Sequence, residues 1–376
     1  MKGPLPYGHF CESSTVRPDL VWLALGVVLS SCSGSPTSAK PSGPVTGWHD
    51  AGLALSRADQ SAGGVQWLST VGNRIIASTA SGEVFLGQQG SLNWDTLHLP
   101  GGDSSYGQST MDSFVYFGTK TPGHAWQLEF PSMKWTNLGI PTSGSVYVDF
   151  LIPWSGALAA ETFDVNTAKV HVYSGGPTWT DYSGGWPASG TEATAAFAVG
   201  ANLFATTYSS GLWRRGSTDT AWSRLPDPVV PILQANGQYS PGTLDKPRSL
   251  AWYHGNLWVG YLIWSQIVHA TGTDTPWVVS RLDTTAFPGD VLPGDVFALF
   301  VWNDRLFAAG QNPEVPLVYN ETSGWRYITQ NWGKSDDGTQ TTCGVGISLA
   351  FASIGDTLYV AGCGHIFKLP ASQVPQ

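Results

Sequence analysis

The chain has 376 residues, enough for one large domain or two ordinary ones, and carries a net charge of −9. Gly (45), Pro (25) and Trp (18) are abundant while charged residues make up only 12%, which predicts an all-β protein with many turns and little helix. Beyond the pair Arg214-Arg215 there is no cluster of Lys or Arg, so the electrostatic footprint of a nucleic-acid binder is missing.

Residues 20–31, LVWLALGVVLSS, form an apolar run of the length of a signal-peptide core, too short to span a bilayer as a stable helix. Lys2 and Arg17 precede it, and Leu29-Ser30-Ser31-Cys32 closes it with an aliphatic residue, two small ones and a cysteine. This tetrad resembles the lipobox of bacterial lipoproteins. The resemblance implies removal of residues 1–31 and a diacylglycerol on Cys32, anchored stably because two chains hold where one does not. Ser33 after the cysteine implies the outer membrane by the same family's sorting rule. Residues 32–46 then read as a lipidated, flexible Ser/Pro/Gly tether with nothing to bury, and 47–376 as the folded body in the periplasm or at the cell surface.

Within that body a unit recurs: a short strand, a Gly/Asn/Asp turn, a strand with large apolar residues, a third strand, and a fourth opening on Trp. The clearest copy is VQWLSTV (65–71), RIIASTA (74–80), EVFLGQQ (83–89) and NWDTLHLP (93–100), with Gly72-Asn73 and Ser81-Gly82 as hairpin turns. The second strand returns at 113–118, 157–163, 202–208, 256–261, 305–311 and 357–362. The fourth-strand Trp stands at 94, 135, 179, 222, 277 and 325, separations of 41 to 55 residues. No segment carries an apolar 3.6-residue pattern, which excludes helical solenoids. Four short strands at this period predict a seven-bladed β-propeller of antiparallel blades. The last repeat lacks its fourth strand, and GWHDAGLAL (47–55), opening on Trp48, resembles one, so it is expected to complete the C-terminal blade and close the ring. The seven Trp residues are expected to pack against neighbouring blades, each burying about 150–250 Å². The weakest repeat is the second, whose first strand (about 103–110) has little apolar content.

Connections from a fourth strand to the next first strand share a face with the second-to-third turns, and the long ones come late: 227–247, 283–296 and 330–345. Long loops on a rigid scaffold are where binding concentrates. The candidate face therefore holds Gln234, Asn236, Gln238, Tyr239, Lys246, Asp290, Asp295, Trp332, Asp336 and Asp337, with Lys334 beside them. With Cys11 removed and Cys32 lipidated, Cys343 and Cys363 remain as a pair on this face, expected to form a disulfide. The alternative, a metal site with His365, lacks a fourth ligand.

No nucleophile elbow, His-Glu-x-x-His or phosphate-cradling Gly loop is present, and no cofactor motif. His171 and His269 fall in third strands and are expected to be packed. Thr218-Asp219-Thr220-Ala221-Trp222 and Thr273-Asp274-Thr275-Pro276-Trp277 resemble shortened Asp-box turns of the bacterial neuraminidase repeat. That implies a similar propeller fold, but not the activity, because Arg214, Arg215, Arg224, Arg281 and Arg326 fall in outer strands. The expected function is non-catalytic recognition of an envelope protein or polysaccharide by a monomer that meets the membrane only through its lipid. The alternative is a carbohydrate-binding or glycoside-hydrolysing propeller, which needs two or more of Trp186, Trp252, Trp264, Trp302 and Trp332 exposed together with a carboxylate pair in one cleft rather than interleaved between blades.

Overall fold

The computed structural model describes residues 46–53, 55, 64–102, 104–120, 122–142, 147–164, 167–176, 178–187, 193–207, 211–226, 247–261, 266–272, 277–281, 296–310, 315–334, 348–362 and 365–375. Tight turns of Gly, Asn and Asp chop the chain into strands of two to eight residues that pair with their sequence neighbours. The first meander is β2 (Val65–Val71), β3 (Arg74–Thr79), β4 (Glu83–Gln88) and β5 (Trp94–His98). The second is β6 (Ser104–Met111), β7 (Phe114–Lys120), β8 (Ala125–Glu129) and β9 (Lys134–Gly139), and the third β10 (Tyr147–Trp154), β11 (Ala157–Phe163), β12 (Ala168–Tyr173) and β13 (Thr180–Asp181). The fourth is β14 (Ala193–Val199), β15 (Asn202–Thr207), β16 (Gly211–Gly216) and β17 (Ser223–Arg224), and the fifth β18 (Pro247–Tyr253), β19 (Asn256–Tyr261), β20 (Gln266–Thr271) and β21 (Trp277–Arg281). The sixth is β22 (Val296–Trp302), β23 (Arg305–Gly310), β24 (Leu317–Asn320) and β25 (Gly324–Tyr327). The last comprises β26 (Ser348–Ile354), β27 (Thr357–Gly362) and β28 (His365–Pro370).

Its fourth member is β1 (His49–Asp50), which pairs antiparallel with β28 as His49↔Lys368 and Asp50↔Phe367. The expected closure is therefore present. Its ladder is shorter than the 47–55 stretch: Ala51 N–H still donates to Ile366 O (2.8 Å), but Ala51, Leu53 and Leu55 are buried in the seam between the closing and first meanders. The first strands β2, β6, β10, β14, β18, β22 and β26 each adjoin the next, and β26 adjoins β2. The molecule is a β-propeller.

The core is a set of seams. Each buried cluster joins one meander to its neighbour, from Ile76, Val84, Val115 and Phe117 between the first and second to Trp48, Phe307, Phe351 and Phe367 between the sixth and the closing one. Second strands are covered on both faces and are buried almost throughout, which is why RIIAST or NLFATT reads as a continuous apolar-and-small run. Fourth strands lie at the rim and are mostly half to fully exposed, apart from the buried Leu138 in β9 and Trp325 in β25; β13 and β17 shrink to two residues that begin just after Trp179 and Trp222.

The seven repeat Trp residues are buried or half-buried, and five of them latch adjacent rims. The indole N–H of Trp48 donates to Ile328 O (2.8 Å), Trp94 to Ala51 O (2.9 Å) and Trp179 to Leu138 O (2.9 Å). Trp222 donates to Tyr182 O (3.0 Å) and Trp325 to Ser280 Oγ (3.1 Å). In each case the acceptor lies in, or next to, the fourth strand of the preceding meander. The ring of Trp is structural, as its fixed place in the repeat predicts.

The second and third meanders merge through one pair, Tyr147↔Lys120, into an eight-stranded sheet. A Cβ on Gly118 would stand 2.5 Å from Val148 O, and one on Gly107 2.8 Å from Asp149 O, so two glycines permit the approach. The low apolar content of β6 also has a physical reason. Its Ser105 Oγ lies 3.3 Å from Ser78 Oγ, and Gln108 accepts from Ser78 Oγ (2.6 Å) and donates to Ile76 O (3.1 Å), so this strand spends its side chains on hydrogen bonds across the seam.

Candidate functional site

Every first strand carries the same irregularity. The register against the second strand slips between Val65 and Trp67, Ser105 and Gly107, Val148 and Leu151, Ala193 and Ala195, Pro247 and Ser249, Val296 and Ala298, and Ser348 and Ala350. Each slip is a β-bulge at the end of the strand reached from the preceding connection. A bulge re-aims a side chain and sharpens the local twist, and bulges gather at barrel rims and binding sites. Gln66, Tyr106, Asp149, Thr194, Arg248 and Phe297 occupy these bulges and are all half-exposed. They form one level on the innermost strands, at the edge of the ring that carries the fourth-to-first connections.

Neighbouring bulges interact. The Arg248 guanidinium lies 5.4 Å from the Phe297 ring centre. The Lys120 ammonium stands 5.1 Å from the Tyr106 ring and 5.9 Å from the Tyr147 ring, and these two rings are 4.9 Å apart. Thr194 Oγ1 lies 2.8 Å from Thr206 Oγ1 and also donates to Pro247 O on the next first strand. Opposite the bulges the second strands hold Ser78, Gly118, Thr206, Gly260, Ala309 and Ala361, a column of small residues with one exception. In the third meander that position is Glu161, fully buried, its Oε1 accepting from Ala193 N at 3.1 Å. The level thus offers a cation, aromatic faces, a carboxylate, an amide and a hydroxyl, all on rigid strands.

Of the residues singled out from sequence, Gln234, Asn236, Gln238, Tyr239, Lys246, Asp290, Asp295, Asp336 and Asp337 lie outside the described residues, as do Cys32, Cys343 and Cys363. Trp332 is described: half-buried, its ring 4.7 Å from Phe367 and 5.2 Å edge-on to Trp48, it packs the closing seam. In the chain, the stretches 227–247 and 283–296, almost wholly outside the described residues, immediately precede Arg248 and Phe297. The bulge residues were missed by sequence reasoning. Their signal was the second or third position of each first strand, where Gln, Tyr, Asp, Thr, Arg, Phe and Leu make a column of mixed chemistry.

Trp186 and Trp302 are buried, Trp186 lying 4.7 Å from Trp222, and Trp252 is half-buried against the seam of the fourth and fifth meanders. With Trp332 these are interleaved aromatics; Trp264 lies outside the described residues. The Asp219 carboxylate accepts from Gly216 N (2.8 Å) and Arg215 Nη2 donates to Asp219 O (3.1 Å), so this Asp-box-like turn closes a hairpin. Among the described residues no three His, Cys, Asp or Glu side chains could hold a metal ion, and no helix is long and apolar enough to cross a membrane.

His171 in β12 and His269 in β20 sit in third strands, His269 stacked 4.3 Å from Trp258. Burial holds both imidazoles below their ordinary pKa. The unfolded chain takes up these protons more readily, so the stability they support is full above the ordinary pKa of about 6.5 and is lost as pH falls through it. Thermal unfolding followed from pH 7.5 to 5 is expected to show a falling midpoint, and the double variant His171→Phe, His269→Phe a flatter profile. An unchanged slope in that variant would assign the acid sensitivity elsewhere.

No protein-family model matches the chain, and no curated protein is similar to it in sequence. Among solved structures it is similar to virginiamycin B lyase from Staphylococcus aureus, at 12% identity and a TM-score of 0.64 over 86% of this chain and 98% of that one. It is also similar to YCF48 bound to a D1 peptide (11%, TM-score 0.59, 88% and 99% covered). The WD40 β-propeller domain of Doa1 matches at 12% with a TM-score of 0.58, over 88% and 100% of the two chains. At these identities the likeness is one of fold: a β-propeller.

Proposed function

We propose that this protein is a seven-bladed propeller of the bacterial cell envelope that recognises another envelope component, a protein in preference to a polysaccharide, without catalysis. The carrying observation is the bulge repeated at one level of every first strand, which sets six chemically different half-exposed side chains on the innermost strands of the ring. The late loops 227–247, 283–296 and 330–345 extend the same edge, and a disulfide between Cys343 and Cys363 pins the last of them. Removal of residues 1–31 and a diacylglycerol on Cys32 hold the domain at the outer membrane on a 32–46 tether, as a monomer. The fold alone does not choose between binding and catalysis, since the similar propellers include a lyase and a peptide complex. Interleaved Trp residues weigh against a sugar-stacking platform.

The test is affinity capture from detergent-solubilised envelope with the full-length protein and a Tyr106→Ser, Arg248→Gln variant, both residues being half-exposed. A protein retained by the first and lost, at least tenfold, by the second supports the reading. Equal retention by both, or none by either, sinks it. In the same cells Cys32→Ala should move the protein from the membrane to the soluble fraction; a membrane-bound variant would remove the lipid anchor from the account.

A further inference from the structure

At the opposite edge of the ring, among the first-to-second and third-to-fourth turns, lies a cavity of about 260 Å³. Tyr253, Asp304, Arg305, Tyr319, Glu321 and Arg326 line it. Its charges are segregated. Val318 pairs with both Phe307 and Arg326, and Arg305 lies two residues from Phe307, so Arg305 and Arg326 share the face of the sixth meander that packs on the closing one. There Arg305 Nη1 donates to Pro375 O at 2.8 Å. Tyr253 and Tyr319 belong to the other face, in the seam with the fifth meander. The carboxylates Asp304 and Glu321 stand on the turns between them.

A single imidazole bridges those carboxylates. His254 Nε2 is 2.8 Å from Asp304 Oδ1 and its Nδ1 is 2.6 Å from Glu321 Oε1, while its ring stacks 4.0 Å from Tyr253. His254 has φ 47° and Asp304 φ 56°, in hairpin turns whose geometry favours Asn or Gly. Histidine in that place bears a conformational cost that its side-chain contacts must offset.

We propose that this cavity binds a small zwitterion, an amino acid or dipeptide, with its carboxylate on Arg305 and Arg326 and its ammonium on Asp304 and Glu321. A planar guanidinium suits a carboxylate, and the two acidic groups are the complement that a simple anion would not use. Protonated His254 competes for the same acidic pair. The groups facing it are Asp304, Glu321 and Tyr253, with Tyr319 and Arg305 beyond. Its hydrogen bonds to Asp304 and then Glu321 hold its pKa above the ordinary value, so the ligand's ammonium displaces a proton and binding tightens as pH rises through that titration.

The experiment titrates full-length protein with glycylglycine, and separately with acetate and methylamine, reading the imidazole resonances of His254 by NMR. Saturable shifts with glycylglycine, at least tenfold tighter than with either half-ligand, are expected. Arg326→Gln and Glu321→Gln, both at exposed positions, should each weaken binding about tenfold, whereas the distant exposed Arg224→Gln leaves it unchanged. Acetate binding as tightly as glycylglycine, or no saturable shift with any probe, overturns the proposal.

Discussion

Replacing Trp48 with alanine is expected to lower the unfolding free energy by about 3–5 kcal/mol, the range for truncating a buried aromatic, measured by chemical denaturation. Trp48 is wholly buried and packs into the cluster of Phe307, Phe351 and Phe367. Its indole donates to Ile328 O (2.8 Å), its backbone N–H to Gln330 O (3.0 Å), and Asn331 Nδ2 donates to its carbonyl (2.6 Å). Truncation removes the packing, opens a cavity beside Trp332 and leaves the Ile328 carbonyl without its donor. The closing ladder is two residues long, so Trp48 carries much of the contact between the chain ends, beside the Ala51 N–H bond to Ile366 O and that of Gly47 N–H to the Gln373 side chain. Trp94, half-buried in the equivalent place of the first meander, lies within a continuous stretch of chain, and its alanine variant should lose distinctly less. Equal losses in the two variants would mean that closure has no special weight.

A single methyl should have a comparable consequence elsewhere. Gly118→Ala is expected to cost about 1–3 kcal/mol, the typical penalty for overpacking, although it adds no charge and Ala is no worse in a strand than Gly. The added Cβ would meet the Val148 carbonyl oxygen at 2.5 Å and the Val148 side chain at 3.0 Å. The nearest obstacle is backbone, so no rotamer change relieves it; β10 must move away from β7 and the Tyr147↔Lys120 pair that fuses the two meanders must open. Denaturation midpoints read the cost, and amide exchange at Tyr147 and Lys120 reads the opening. A variant as stable as the parent, with both amides still protected, would show that the inner strands slide freely.

The repeat was legible because Trp and the hairpin dipeptides punctuate it: four strands, a fixed order and closure by the segment at Trp48 follow from the pattern alone. Boundaries slipped where a strand is almost absent, as in β13 and β17, since the Trp before each is what packs and the two residues after it need only pair. The bulges were not legible. A bulge inserts one residue, and alternation of apolar and polar side chains cannot be read in strands such as β6, whose serines and Gln108 are committed to hydrogen bonds across a seam. Glu161 escaped notice for a related reason: its oddness appears only when the second strands are stacked on their observed registers. The bridge at His254 was invisible because its partners arrive from turns 50 and 67 residues further along the chain.

The closure has a consequence for how the molecule comes to be. Most pairings in this ring join strands adjacent in the chain, so the meanders can assemble in order as the chain is made, each at small entropic cost. The clasp is different: Asp50 meets Phe367 and Trp48 meets Ile328. The segment synthesised early must therefore wait for the last strands, its tryptophan uncovered, while β2 and the newest meander both present open edges. During that interval the chain is at its most adhesive, and speed of completion, more than final stability, decides whether it becomes a ring or an aggregate.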